Sequence, residues 1–229
     1  MQTLTLRPSV ERGHVDFGWL KSAHSFSFGE YYDPAHQGYR ALRVINDDTL
    51  FGDNGFPTHP HHDFEIITYM VKGALRHRDT MGNTALISAG EVQVMTTGTG
   101  VAHSEWNEAD ETRLLQIWLR PDRKGHTPRY DQKDFGKAQG LTLLVSGDGA
   151  DGSLQIHQDA KLYRLTLDAD KPVELPANAN RGYWVQVVDG DLTVNDQTLT
   201  RGDGLALEKV EALKFITSTT AEVLIFDLA

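Results

Sequence analysis

Tyr69-Met70-Val71-Lys72-Gly73-Ala74-Leu75 and Gln186-Val187-Val188-Asp189-Gly190-Asp191-Leu192 are two copies of one pattern. In each, an apolar β-rich run meets a charged residue, then a glycine, then a new run. Each copy is followed by a second glycine turn, Ala89-Gly90-Glu91 and Arg201-Gly202-Asp203, and each half closes on an apolar run, residues 114–119 and 223–228. The shared order predicts two related β-domains joined within 121–140, a stretch rich in Pro, Gly and charge. We place residues 1–130 in the first domain and 131–229 in the second.

Working outward, the same alternation recurs along the chain. Short β-rich runs fall at 41–45, 64–71, 84–88, 91–95, 113–119, 141–145, 162–167, 183–188, 192–195, 213–217 and 222–228, bounded by Gly, Asp, Asn or Pro. Turn chemistry stands between them, as in Met81-Gly82-Asn83, Asn195-Asp196 and Arg201-Gly202-Asp203-Gly204. No long stretch carries a 3.6-residue apolar period. Many short strands at near-regular spacing predict an all-β chain of antiparallel sandwiches or barrels.

Composition narrows the function classes. The chain has 229 residues and a formal net charge of −10, which argues against a protein that binds nucleic acid through its phosphates or docks on anionic lipid. With 39% hydrophobic residues it can form a core. It has no cysteine, so disulfides, thiolate metal sites and thiol nucleophiles are excluded. The N-terminus shows no apolar signal region and no run long enough to cross a membrane, which leads us to expect a cytoplasmic protein.

The chemistry concentrates in two short segments. Thr58-His59-Pro60-His61-His62-Asp63-Phe64-Glu65 holds an H-x-H pair. In extended chain, residues i and i+2 point to one face, so His59 and His61 converge while His62 turns away. About forty residues on, Gly98-Thr99-Gly100-Val101-Ala102-His103-Ser104-Glu105 places His103 and Glu105 in the same relation. Two such pairs on neighbouring strands put three imidazoles and one carboxylate around a point, a donor set for a divalent transition metal with positions left open. Glu65 competes with Glu105 for the carboxylate place.

These segments resemble the two cupin motifs: Gly52…His59-x-His61-x3-Glu65-x7-Gly73 the first, with slightly altered spacings, and Gly90…Gly98-x-Gly100-x2-His103-x3-Asn107 the second, with Gly98 where proline is usual. Gly18-Trp19-Leu20, His24-Ser25-Phe26-Ser27-Phe28, Tyr31-Tyr32-Asp33-Pro34, the run 41–48, His103-Ser104-Glu105, Gln116-Ile117-Trp118, Thr127-Pro128-Arg129-Tyr130 and the later 151–159 segment are similar to the pirin family over nearly the whole chain. The resemblance is to bacterial pirins of the quercetin 2,3-dioxygenase type. It implies a bicupin of two jelly-roll barrels, with metal in the N-terminal barrel only. The implied ligands are His59, His61, His103 and Glu105, which leaves Glu65 as second choice. The implied metal is iron(II), with Cu, Mn, Ni or Zn as alternatives, and the implied partners are a small aromatic substrate and O2. Glu105 would be the base that takes the flavonol hydroxyl proton, and ring cleavage would yield a depside and carbon monoxide. Pirins of animals are regarded as nuclear redox-sensitive cofactors, so a metal-binding regulatory module with a protein partner is the alternative. A third reading is a cupin isomerase or lyase.

The internal repeat gives a check. Counting from the matching glycines, the places of His59 and His61 hold Pro176 and Asn178, and those of His103 and Glu105 hold Phe215 and Thr217. The second copy therefore lacks the ligand set. Trp19, Phe26, Phe28, Tyr31 and Tyr32 read as core, or else as a lining for an aromatic substrate. His24 reads as structural, and Asp47 and Asp48 as orienting groups or turn residues. His62, His77, His126 and His157 show no convergent partner, and Asn107 either shares the face of Glu105 or begins the next turn.

Overall fold

The computed structural model describes residues 2–229. Its two halves repeat one architecture, a seven-stranded sheet packed on a four-stranded one. In the first half the large sheet runs, in spatial order, through strands Arg129–Asp134, Glu91–Thr96, Glu65–Lys72, Glu111–Leu119, Leu42–Phe51, Leu20–His24 and Gly13–Asp16. The small sheet runs through Gly55–His61, Val101–Asn107, Ala74–Asp79 and Thr84–Ser88. The second half repeats this with 7 and 4 strands, its small sheet holding Val173–Pro176, Ala212–Ile216, Leu192–Val194 and Gln197–Leu199. All strand pairs are antiparallel except the short one between Gly140–Ser146 and Leu154–Gln155. The molecule is an all-β bicupin. Among the described residues no helix is long and apolar enough to cross a membrane.

The repeated glycines do the same work in both halves. Gly73 has φ +77° and Gly190 φ +78°. A Cβ on Gly73 would stand 2.6 Å from the Glu111 carbonyl oxygen, and one on Gly190 would stand 2.4 Å from that of Thr220. Only glycine both accepts the left-handed turn and lets the hairpin lie against its neighbour.

The two large sheets pack face to face. Phe26, Ile45, Ile67, Ile117 and Leu119 from one half share a buried cluster with Leu144, Leu162, Trp184, Leu224 and Phe226 from the other. Each such side chain contributes roughly 1.5–3 kcal/mol by leaving water, so the halves behave as one body. Polar contacts reinforce the seam, among them the ion pair of Arg40 with Glu208 of the second half at 2.6 Å. Arg113 forks onto Asp47 at 2.8 and 2.9 Å and also donates to the Val188 carbonyl of the other half.

The interiors of the barrels differ. The second is filled by an apolar cluster that includes Leu192, Leu213, Phe215 and Val223. The first divides its apolar residues between two smaller clusters, one around Leu50, Met70 and Leu114, the other around Ile66, Met95 and Val101. Polar groups occupy the space between.

The expected division at residue 130 falls inside the strand Arg129–Asp134, which pairs with Glu91–Thr96 and so belongs to the first sheet. The chain's first strand, Thr3–Arg7, pairs with Gly204–Glu208 of the second half. Sheet pairing links these segments to neighbours remote in sequence, and no local pattern records that. Asp47 and Asp48 are not turn residues either. They sit inside the ten-residue strand Leu42–Phe51 and point to opposite faces, Asp47 to the seam and Asp48 into the first barrel.

Candidate metal centre

The H-x-H segment lies on the strand Gly55–His61, which pairs antiparallel with Val101–Asn107. His59 stands directly opposite His103, and Glu105 opposite Phe56, with a register shift between His103 and Glu105. That pairing brings two sequence-distant motifs to one wall. Ligand atoms of His59, His61 and His103 lie within 4.8 Å of one another. Their rings are 4.5 to 4.9 Å apart, centre to centre. The Nδ1 of His59 is 2.8 Å from the Pro57 carbonyl, which fixes that nitrogen as the N–H donor and leaves Nε2 free to coordinate.

Glu105 is buried and reaches the same space from beside His103. The Gln116 side-chain N–H donates to its Oε2 at 3.2 Å, and its Oε1 has no partner. Burial, aided by the nearby Asp48 carboxylate, raises its pKa to about 7. Asp48 is likewise pushed up to about 7 by burial. His61 is lowered to about 4, first by burial and then by His59 and His62, and His103 is lowered further by burial and by His59 and His61. His61 and His103 are therefore neutral at pH 7, with lone pairs available. Two buried carboxyls starved of a positive neighbour, three convergent imidazoles, and unpartnered atoms on His103 (Nδ1) and Glu105 (Oε1) form a donor set that suits a divalent cation.

These groups open into a cavity of about 520 Å³. Leu20, Phe28, Phe56, Ile66 and Trp118 give it apolar walls, and His24, Asn46 and Asp48 give it one polar side. Trp118 packs edge-on against His61, with centroids 4.8 Å apart, so the wall also steadies the cluster.

His77 departs from expectation. It is fully buried, and with His103 and Glu105 it forms a second convergent group. Its Nε2 meets Asp79 at 2.9 Å, and its strand sets it opposite Glu105. The alternation Leu75-x-His77-x-Asp79 after Gly73 is the signal that places it inward. His126 and His157 also have partners, since their rings meet, tilted by 33° with centroids 3.9 Å apart, across the seam between the halves. Glu65 is fully buried on the seam side, where it accepts from the Thr96 hydroxyl at 2.7 Å, away from the three imidazoles. Asn107 holds a turn, donating to the carbonyls of Gly52 and Ala109 at 2.7 and 2.6 Å. The aromatic cluster divides: Phe26 is core, Phe28 lines the cavity, and Tyr32 is exposed. His24 is buried on the cavity's polar side, 2.7 Å from the Asn46 amide oxygen.

The pirin family model matches residues 5–119, and a model described as the quercetinase C-terminal cupin domain matches 143–228. The chain belongs to the pirin family. Among its relatives, the quercetin 2,3-dioxygenase of Escherichia coli strain K12 is 47% identical over 225 residues, covering 97% of each chain. A pirin-like protein of Caulobacter vibrioides is 38% identical, covering 97% of this chain and 98% of its own. Of solved structures, YhhW from Escherichia coli superposes with a TM-score of 0.97 at 46% identity, covering 99% of this chain and 98% of that one. The structure of YhhW in complex with nickel(II) gives a TM-score of 0.95 at 46% identity, covering 99% of both chains.

Proposed function

We propose that this chain is a metal-dependent dioxygenase that opens the heterocyclic ring of a flavonol such as quercetin. His59, His61, His103 and Glu105 would hold iron(II). The observation that carries this reading is the convergence of His59, His61 and His103, with the buried, half-unpartnered Glu105 carboxylate grouped with His103, in the lining of one apolar-walled cavity. The names of the close relatives and the nickel(II) complex of YhhW support it. A cavity of about 520 Å³ suits a planar molecule of flavonol size.

A first-row divalent metal held there would supply Lewis-acid stabilisation of the ionised 3-hydroxyl and a place for O2 to meet the ring. The chain's own residues do the rest. Glu105 takes the hydroxyl proton at Oε1, the oxygen without a competing partner, while Gln116 holds Oε2. Phe28, Phe56 and Trp118 supply apolar wall against the aromatic substrate, which would limit water and the substrate's approach. The overall reaction joins flavonol and O2 and yields a depside plus carbon monoxide.

The test is the bleaching of quercetin's visible absorption in air by metal-loaded protein. Wild type should turn over, and His59→Ala should lose metal and turnover together. A His59→Ala variant that keeps full metal and full rate would overturn the ligand assignment.

A further inference from the structure

A second cavity, of about 550 Å³, lies where the first hairpin meets the second barrel. Ser9, Arg12, His14, Lys21, Asp47 and Arg201 contribute to its lining. It borders the metal cavity, sharing His14, Val15 and Ser22 with it, but contains none of the histidines of the metal cluster.

Arg12 is the unusual feature. Its side chain is only 6% exposed, and its Nε and Nη1 are buried without a hydrogen-bond partner. Its nearest carboxylate oxygen is on Asp47, 3.7 Å from Nη2. That carboxylate is already taken, because Arg113 forks onto both of its oxygens. Asp203, the other nearby acid, accepts from the Ser9 and Thr200 backbone N–H groups. Asp16 lines the cavity but faces Lys21 at 3.7 Å on the exposed rim. Arg12 and Arg113 thus place two guanidinium charges beside one shared carboxylate. A buried cation with idle donors is unfavourable unless something completes it.

The backbone is shaped around this group. Gly202 has φ +89°, and a Cβ there would stand 2.6 Å from Arg12 Nη2. A glycine is what lets the turn of the second barrel close over the guanidinium. Arg201, the preceding residue, brings a second cation to the same cavity from the other half. Val10, Val15 and Ala23 add an apolar portion.

We infer that this junction cavity binds a small organic oxyanion, a carboxylate or a phosphate monoester, on Arg12 with Arg201 at the rim. A two-oxygen edge matches the guanidinium fork and supplies the charge that Asp47 cannot. The short apolar walls accommodate a small hydrocarbon body beside the head group. The site is independent of the proposed oxygenase chemistry, since it uses none of that cavity's ligands. It bridges the halves, and Asp47 and Asp48 are neighbours on one strand that face the two cavities.

The experiment is calorimetric titration of the metal-loaded full chain with inorganic phosphate and, separately, with benzoate. Saturable binding of one molecule per chain is expected with at least one probe, and which probe binds tells phosphate from carboxylate. Arg12→Met should abolish it. Arg201→Gln, on an exposed residue that leaves the core intact, should weaken it about tenfold, the worth of one charge-assisted contact. His59→Ala should leave it unchanged. Absence of saturable binding of both probes overturns the inference. So does binding that survives Arg12→Met and Arg201→Gln but disappears in His59→Ala, because the anion would then sit in the metal cavity.

Discussion

Replacing Glu105 by glutamine separates two roles that the proposed function gives to one side chain. The substitution keeps shape and volume. Its amide oxygen can still accept from Gln116, which now meets Glu105 Oε2 at 3.2 Å, and its amide nitrogen takes the place of the unpartnered Oε1. What disappears is the negative charge and the ability to take a proton. Three imidazoles remain, so metal binding weakens but persists. A positioned general base contributes roughly 10²–10⁴ in rate, which sets the expected loss of turnover. Folding should not suffer, because burial raises the Glu105 carboxyl to about 7 and the neutral amide avoids that penalty. The assay pairs metal content per chain with kcat for flavonol cleavage at saturating metal. The expected result is a fall in kcat of at least about a hundredfold at restored metal occupancy. Metal and activity falling in equal proportion, with activity fully rescued by added metal, would refute the base role and leave Glu105 a ligand only.

Further expectations follow from the same geometry. His103→Ala removes the imidazole common to both convergent groups, so metal content measured by atomic absorption should fall with activity, whereas retained occupancy would contradict the assignment. Arg113→Met strands Asp47 at the seam with only Arg12 at 3.7 Å, so urea denaturation should show a loss of about 3–5 kcal/mol. Glu65 gives a pH test away from the metal centre. Burial raises its carboxyl from 4.5 to about 7, so the folded chain holds a proton that the unfolded chain releases. Stability from this group is complete below pH 4.5 and declines as pH rises to about 7. Glu65→Gln should gain on wild type across that window, by on the order of 2–3 kcal/mol at its top, in denaturation series at fixed pH. A gain that grows toward low pH would contradict it.

The fold was legible where strands alternate or run apolar between glycine turns. The reading at 84–88 coincides with the strand Thr84–Ser88, and most other runs differ from their strands by one or two residues at an end. The missed strands Thr3–Arg7 and Gly13–Asp16 lie at sheet edges, where exposure removes the apolar signal, whereas Gly204–Glu208 is interior and buried and was missed beside the glycine turn that precedes it. The convergence of His59 and His61 with His103 was legible because period-2 geometry fixes each pair and a shared frame of glycines sets the pairs on adjacent strands. His77 was read as lacking a convergent partner, though it obeys the same alternation, because a lone histidine between two arginines resembles a solvated face. Its burial depends on the strand Val101–Asn107 covering it. The fate of Glu65 was likewise tertiary: both faces of its strand are buried, one toward the metal cavity and one toward the second half. Arg12 shows the same limit. Nothing near it in sequence reveals that its nearest carboxylate, Asp47, is held by Arg113 from a strand some hundred residues on.

The most direct test of the account is the stoichiometry of carbon monoxide released from quercetin in air by iron-loaded protein, with His59→Ala treated identically. The account predicts one carbon monoxide per quercetin consumed and none from the variant. Iron-loaded wild type that consumes no quercetin and releases no carbon monoxide would contradict the proposed dioxygenase activity.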